Sequence, residues 1–184
     1  MKKPVLAISA LVLLVSLFVG IGVSIPSRWK VEKSVDISAS PTDIVLFVNN
    51  LKFWPKWAPW KNEKNVSFSF EGPESGEKAV MMWSAAGQSS TLKITETRVP
   101  QSVIYQVNPS PDGLYSGQFF IAPYKNKPMA RLTWTVWGDS GLNLFRRWSS
   151  LGKTKKMSSL LDAGLAEIKG QVDLMMTERK KSKK

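Results

Sequence analysis

The first strong pattern along the chain is an uncharged apolar run from Val5 to Ile25. A helix of these 21 residues would be about 32 Å long, close to the roughly 30 Å hydrocarbon thickness of a bilayer. Pro26 follows directly, and proline is common just beyond the end of a helix. The pattern therefore predicts one transmembrane helix at residues 5–25, preceded by a basic N-terminus at residues 1–4.

A cleaved signal peptide is the alternative, because Gly22 and Ser24 are small and suitably spaced for cleavage after Ser24. The run is longer than the apolar part of most signal peptides, which favours an uncleaved anchor. Lys2 and Lys3 favour a cytoplasmic N-terminus, whereas Arg28, Lys30 and Lys33 favour the opposite orientation. A short basic segment before an apolar run resembles a bacterial export signal. We therefore expect a single-pass protein of the bacterial inner (cell) membrane, with its domain on the periplasmic (extracytoplasmic) side.

The soluble part begins with an alternating segment at residues 30–37, which predicts a half-buried strand. Ser40 and Pro41 then form a helix start, and a helix is predicted at residues 41–49. Trp54, Trp57 and Trp60 follow at intervals of three among prolines. Such a cluster could contact a membrane or a ligand. Packing in the domain's own core is the favoured interpretation, because tryptophan is usually largely buried.

Short apolar runs separated by glycine and proline turns occupy the middle of the chain. They predict six strands, at residues 66–70, 77–86, 90–99, 103–108, 117–122 and 130–137. Since no helical pattern lies between them, an antiparallel meander is expected. Consecutive apolar residues at 81–83 and 119–121 indicate a sheet that is covered on both faces or curved around another element.

Apolar residues at helical spacing predict a long closing helix at about residues 155–176. Its stripe consists of Met157, Leu161, Gly164, Leu165, Ile168, Val172 and Met175. The folded domain is expected to cover residues 26–178, and residues 179–184 are predicted to be a disordered basic tail.

The chain contains neither histidine nor cysteine, which excludes several kinds of chemistry. A Ser-His-Asp triad, a cysteine nucleophile and a zinc site built from His or Cys are all impossible. No cluster of metal ligands and no phosphate-binding glycine loop is evident, so neither a metal nor a cofactor is expected.

The formal net charge is +12 and is concentrated at the two ends and in one internal cluster. That cluster comprises Arg146, Arg147, Lys153, Lys155 and Lys156. These charges either form solvated surfaces or attract anionic lipid headgroups. No recognisable nucleic-acid-binding motif accompanies them, so nucleic acid is not an expected partner.

Several stretches in this order resemble the SRPBCC or START-like superfamily, in its polyketide cyclase/dehydratase-like branch. VEKSVDISASPTDIVLFVNNLKFWPKWAPW is similar to its opening strand, helix and tryptophan-rich turn, and EGPESGEKAVMMWSAAG to its glycine-punctuated hairpin. LTWTVWG is similar to its last strand and LLDAGLAEIKGQV to its closing helix. The resemblance implies an α+β helix-grip fold. A curved antiparallel sheet of about seven strands would wrap around the C-terminal helix, behind the N-terminal transmembrane helix.

The resemblance also implies a cavity between sheet and helix for a hydrophobic small molecule or lipid. The candidate ligand-binding residues are Trp83, Phe119 and Trp134 from the sheet, with Met157, Leu161, Leu165 and Ile168 from the helix. The leading hypothesis is a membrane-tethered binding module with the hydrophobic ligand and the membrane as its partners. The alternatives are a cyclase or dehydratase acting on a hydrophobic substrate, and a cavity-less protein-interaction domain.

Glu96 and Tyr105 are the candidate polar anchors in such a cavity, and the residues on which an enzyme would depend. Glu96 shares the strand parity of Leu92 and Ile94, which favours an inward direction. A buried carboxyl group can have a raised pKa and act as an acid or base. The alternative for Glu96 is a salt bridge or a position at the rim.

Overall fold

The structure, a computed structural model, describes residues 2–62, 65–85, 87–108 and 113–182. Its helices are α1 (Lys2–Ser24), α2 (Pro41–Asn49), α3 (Trp54–Trp57) and α4 (Leu144–Lys181), with 3-10 turns at Leu51–Phe53 and Pro59–Asn62. Its strands are β1 (Arg28–Ile37), β2 (Ser67–Glu71), β3 (Val80–Ala85), β4 (Gln88–Arg98), β5 (Ser102–Asn108), β6 (Tyr115–Pro123) and β7 (Ala130–Asp139).

The seven strands form one antiparallel sheet in the order β1-β7-β6-β5-β4-β3-β2. Helix α4 lies along β1, and two lysines connect them. The Lys33 ammonium is 2.9 Å from Asp162, and the Lys169 ammonium donates to the Asp36 carbonyl at 2.9 Å. A seven-stranded antiparallel sheet with a long C-terminal helix fits the helix-grip fold, so the α+β prediction for the soluble part is confirmed.

Helix α2 occupies the predicted residues because its first turn is capped. The Ser40 hydroxyl accepts a hydrogen bond from the Asp43 amide at 3.2 Å and donates to the Asp43 carboxylate at 2.6 Å. Trp54 and Trp57 follow and are fully buried, which agrees with the core interpretation for these two members of the tryptophan cluster. The side chain of Trp60 lies outside the part of the chain that the structure describes. Their ring N–H groups donate to the carbonyls of Val48 and Phe47, so the α2 end and the tryptophans support each other.

Helix α4 is longer at both ends than its apolar stripe predicts. It begins at Leu144, where the Asn143 side chain accepts from the Arg146 amide at 3.1 Å. At the other end Arg179 lies within α4 and its guanidinium is 2.7 Å from Asp43. The prediction of a disordered tail from residue 179 is therefore wrong for residues 179–181. The ion pair between Arg179 and Asp43 accompanies this last part of α4. Residues 183 and 184 lie outside the described residues.

Helix α1 coincides closely with the predicted anchor and packs against the first turns of α4. The Phe18 and Trp148 rings are stacked with centroids 5.4 Å apart, and the Trp148 ring N–H donates to the Phe18 carbonyl. Arg147 donates to the carbonyls of Val23 and Ile25. In the part of the chain that the structure describes, no helix has both the length and the apolarity needed to cross a membrane.

Candidate ligand site

The three sheet residues predicted to bind ligand all lie on the concave face of the sheet, towards α4. Phe119 and Trp134 are paired across β6 and β7, with ring centroids 4.8 Å apart. Trp83 lies on β3 and is 9 % exposed. The alternation that places them on this face is the same one that buries Leu132 and Val136 on β7.

The predicted helix residues lie opposite, on the buried stripe of α4. Leu161, Leu165 and Ile168 are buried, and the half-buried Met157 packs against the same core. Gly164 lies among them because Trp134 approaches the helix there. A Cβ at residue 164 would be 2.5 Å from the Trp134 ring.

Aromatic side chains from the sheet and from α3 pack against one another beneath α4. Trp57 meets both Phe119 and Trp134 edge-on, with centroids 5.9 and 5.7 Å apart. Trp54 meets Tyr105 and Phe119 in the same way at 5.1 and 5.8 Å. The seven predicted residues therefore belong to one packed apolar core, and their role in ligand binding stays a prediction.

Tyr105 is predicted to be a polar group inside the cavity, and it lies inside this core. Its hydroxyl accepts a hydrogen bond from the Trp134 ring N–H at 2.8 Å. Burial raises the pKa of Tyr105 well above its usual value, and the nearby Tyr115 adds to the rise. The phenol therefore stays neutral at physiological pH and serves as a hydrogen-bonding partner within the core.

Glu96 points away from this core, so the expectation of an inward carboxylate is wrong. A β-bulge interrupts the pairing of β4 with β5: Ile94 is opposite Tyr105, but Glu96 is opposite Ile104. The extra residue, Thr95, shifts the alternation by one position and turns Glu96 to the outer face. There its carboxylate forms a salt bridge with Arg98 at 2.7 Å. This is the alternative that the sequence left open.

A cleft with a volume of about 520 Å³ lies at the end of the sheet nearest to α1. It is formed by the first residues of β1 and β6 and the last residues of β7. Its walls are Arg28, Trp29, Lys30, Leu114, Tyr115, Ser116, Trp137, Gly138 and Asp139. The strand register places Trp29, Tyr115 and Gly138 on the concave face of the sheet. Most of the other residues of the cleft lie on the outer face.

Gly138 allows the two concave-face rings of this cleft to approach each other. It is the partner of both Trp29 and Tyr115 in the sheet register, and a Cβ there would lie 2.7 Å from the Trp29 ring. The rings of Trp29 and Tyr115 have centroids 6.4 Å apart. A side chain larger than hydrogen at residue 138 would push the Trp29 ring away.

The rim of the cleft carries charge of both signs. Arg28 lies 3.6 Å from Asp139 and its side chain is 89 % exposed. The amide of Gly141 donates to the Asp139 carboxylate, and this bond is the main reason why the pKa of Asp139 is lowered. Lys30 is paired with Glu32 at 2.8 Å. The cleft therefore combines aromatic walls with two exposed cations at its edge, each of which is paired with a carboxylate.

No local pattern in the sequence indicates this cleft. Trp29 lies just beyond the apolar segment, and Trp137 is the last residue of the last predicted strand. The pairing of β1 with β7 brings these two residues together. A single sequence does not show which strands pair or in which register. Among the described residues, no group of acidic side chains is arranged to hold a metal ion.

Comparison with known proteins agrees with the fold. A family model described as polyketide cyclase/dehydrase and lipid transport matches residues 28–173. No curated protein is significantly similar to the chain.

Solved structures show the same architecture at low sequence identity. A protein of unknown function from Staphylococcus aureus is 7 % identical, with a TM-score of 0.60 over 82 % of this chain and 98 % of that one. A protein from Nitrosospira multiformis is 16 % identical, with a TM-score of 0.57 over 78 % and 96 %. A norcoclaurine synthase from Thalictrum flavum, solved with a transition state analogue, is 12 % identical, with a TM-score of 0.54 over 77 % and 94 %. At these identities the likeness shows the fold alone.

Proposed function

The chain belongs to the polyketide cyclase/dehydrase and lipid transport family, and we propose that it is a membrane-attached module that binds a hydrophobic small molecule or lipid. The observation that carries this proposal is the aromatic cleft at the end of β1, β6 and β7. Its volume is within the usual range for small-molecule sites, about 300–1,000 Å³. Trp29, Leu114, Tyr115 and Trp137 offer apolar surface to a ligand.

The charges at the rim narrow the class of ligand. Arg28 and Lys30 lie beside the aromatic walls and both side chains are largely exposed. A cation at the mouth of an apolar site suits a ligand with an apolar body and an acidic head, because the head remains hydrated while the body is buried. A fatty acid or an anionic lipid has this chemistry.

Membrane attachment through α1 is part of the same proposal. Large apolar side chains from Ile8 to Val23 are exposed on α1, and the predicted anchor at residues 5–25 carries no charge. The cleft begins at Arg28, only a few residues after α1 ends at Ser24. Its mouth would therefore face the lipid source, on the extracytoplasmic side of a bacterial inner membrane.

The test is binding of a fluorescent fatty acid to the full chain held in a mild non-ionic detergent. Trp137→Ala removes one aromatic wall and is expected to weaken binding about tenfold, equivalent to about 1.4 kcal/mol. Phe70→Ala removes an exposed aromatic residue on β2, at the far edge of the sheet, and is the matched control. Native mass spectrometry of the same sample identifies a co-purifying ligand by its extra mass.

Two outcomes would contradict this proposal in different ways. If Trp137→Ala binds as wild type while Phe119→Leu loses the probe, the ligand occupies the core and the cleft assignment is wrong. If the wild-type chain neither binds the probe nor carries an extra mass, the ligand-binding function itself is wrong.

A protein-interaction domain is the second candidate, and it is favoured by the close packing of aromatic side chains in the described core. Absence of any probe binding would support it. The enzyme alternative has no comparable observation, because Glu96 faces outward and Tyr105 is sealed in the core.

A further inference from the structure

Exposed apolar and basic side chains from three separate parts of the chain lie at one end of the molecule. Its apolar members are Leu114 before β6, Leu142 before α4 and Phe145 in the first turn of α4, which are 52, 91 and 76 % exposed. Its basic members are Arg28 and Lys30 on β1 and Arg146 on α4. We call these six residues the basal surface.

Contacts between these segments place them at the same end. Arg146 and Gly113 are neighbours, since a Cβ on Gly113 would lie 3.9 Å from the Arg146 guanidinium. Leu114 and Arg28 line the same cleft. Leu142 follows Gly141, whose carbonyl accepts a hydrogen bond from Arg147 at 2.8 Å. Residues that are far apart in sequence thus form one continuous surface.

Helix α1 determines the depth at which this surface would meet a bilayer. The rings of Phe145 and Phe18 have centroids 5.6 Å apart. Phe18 lies six residues before the end of α1, so it is about 9 Å along the helix from Ser24. A membrane that holds α1 would therefore also surround Phe145.

We propose that the basal surface docks on a bilayer containing anionic lipids, with Leu142 and Phe145 inserted and Arg28, Lys30 and Arg146 among the headgroups. Large exposed apolar side chains beside cations are the composition of membrane-surface segments, and each nearby cation favours anionic lipid. This inference rests on the proposed attachment through α1. Docking would fix the orientation of the domain and keep the mouth of the cleft at the lipid surface.

The experiment uses the absence of native cysteine, which allows a single label. The full chain with Leu142→Cys carries an environment-sensitive fluorophore and is placed in nanodiscs of phosphatidylcholine alone, or of equal parts phosphatidylcholine and phosphatidylglycerol. Some lipids carry a quencher. Lys127→Cys, in the turn at the opposite end of β6, is the control label. We expect quenching at residue 142 in anionic nanodiscs, and none at residue 127.

A charge variant tests the role of the cations. Arg28→Gln, Lys30→Gln and Arg146→Gln together are expected to reduce the docked fraction in anionic nanodiscs about tenfold. The matched control removes three exposed lysines elsewhere, by Lys93→Gln, Lys125→Gln and Lys127→Gln, in the Leu142→Cys background. Equal effects of the two triple variants would overturn the headgroup assignment.

The results distinguish this inference from the proposal on which it rests. Protein that is retained in nanodiscs but has an aqueous, unquenched label at residue 142 overturns the docking alone. Protein that is not retained in nanodiscs at all overturns the attachment through α1 as well. A label that is shielded without lipid, in a sample of dimeric mass, shows that a second copy covers the surface and overturns docking on lipid.

Discussion

Trp134 connects the sheet with the helix that closes it. Its ring contacts Phe119 and Trp57, its N–H donates to Tyr105, and its edge lies against Gly164 of α4. These contacts on several sides hold the Trp134 ring and its neighbours in fixed positions. A change in the volume of any residue that touches Trp134 is therefore expected to change the stability of the fold.

Gly164 and Gly170 form a matched pair in α4 for testing this packing. Glycine to alanine normally stabilises a helix by about 1 kcal/mol. Gly164→Ala is expected to destabilise the fold by about 1–3 kcal/mol instead, since its methyl group would overlap the buried Trp134 ring. Gly170→Ala meets nothing within 4 Å and is expected to stabilise it. Urea unfolding of the full chain in detergent measures both.

Opposite signs of these two changes in unfolding free energy would support the close packing. Stabilisation by both substitutions would show that Trp134 moves away at little cost. The core would then have room to adjust to a ligand.

At the scale of elements, α2 depends on its cap and in turn supports the tryptophan core. The Asp43 amide donates to the Ser40 hydroxyl at 3.2 Å and to the Ser40 carbonyl at 3.1 Å, so Ser40 caps the first turn with both its side chain and its backbone. At the other end of α2, carbonyls accept the ring N–H groups of Trp54 and Trp57. Loosening of the first turn would therefore be transmitted to the core through a helix of only nine residues.

Ser40→Ala removes this cap and is expected to lower the unfolding free energy by about 0.5–2 kcal/mol. Ser38→Ala changes an exposed serine two residues earlier and is expected to stay within about 0.5 kcal/mol. Urea midpoints followed by tryptophan fluorescence give both values. A cost for Ser40→Ala no larger than that for Ser38→Ala would mean that the Arg179–Asp43 ion pair holds the helix start by itself.

For the whole molecule, the dependence of stability on pH should be simple. The chain has no histidine, so no side chain with an ordinary pKa titrates between about pH 5 and 8. Four described carboxyl groups, Glu32, Asp36, Asp43 and Asp139, have lowered pKa values. Each contributes stability above its unfolded pKa of about 4, and that contribution is lost as the pH falls through the folded pKa.

Asp36 offers the sharpest test of this acid sensitivity. A hydrogen bond from Arg131 is the main reason for its lowered pKa, and a second one from Tyr124 adds to it. Arg131→Met should therefore destabilise the protein more at pH 7 than at pH 3, because the stability that comes from the lowered pKa of Asp36 declines as the pH falls through its folded pKa. Urea midpoints at the two values of pH measure this.

Lys93→Met is the control, because it removes one exposed cation that has no part in this arrangement. A difference between Arg131→Met and wild type that is the same at pH 3 and pH 7 would contradict the ionic origin of the effect. The loss would then be due to packing of the Arg131 side chain over the Tyr124 ring.

Local patterns in the sequence determined most of the elements. Alternation and turn residues predicted β1 and the six following strands, and Ser40-Pro41 predicted α2 with its observed bounds. These features depend on neighbours within a few residues, so a single sequence displays them. The matching stretches, taken together, also indicated the superfamily and hence the sheet that closes on α4.

Only the tertiary structure decided the details on which function depends. The bulge at Thr95 turned Glu96 outward because β4 must stay in register with β5, and alternation counted along one strand cannot reveal an inserted residue. The early start of α4 reflects packing of Trp148 on α1, and its extension to Lys181 is accompanied by the ion pair with Asp43. The cleft and the basal surface arise where three strand ends, a loop and two helices meet. They depend on contacts between residues that are distant in sequence, such as Arg28 with Asp139 and Gly113 with Arg146, and a one-dimensional pattern carries no signal for such contacts.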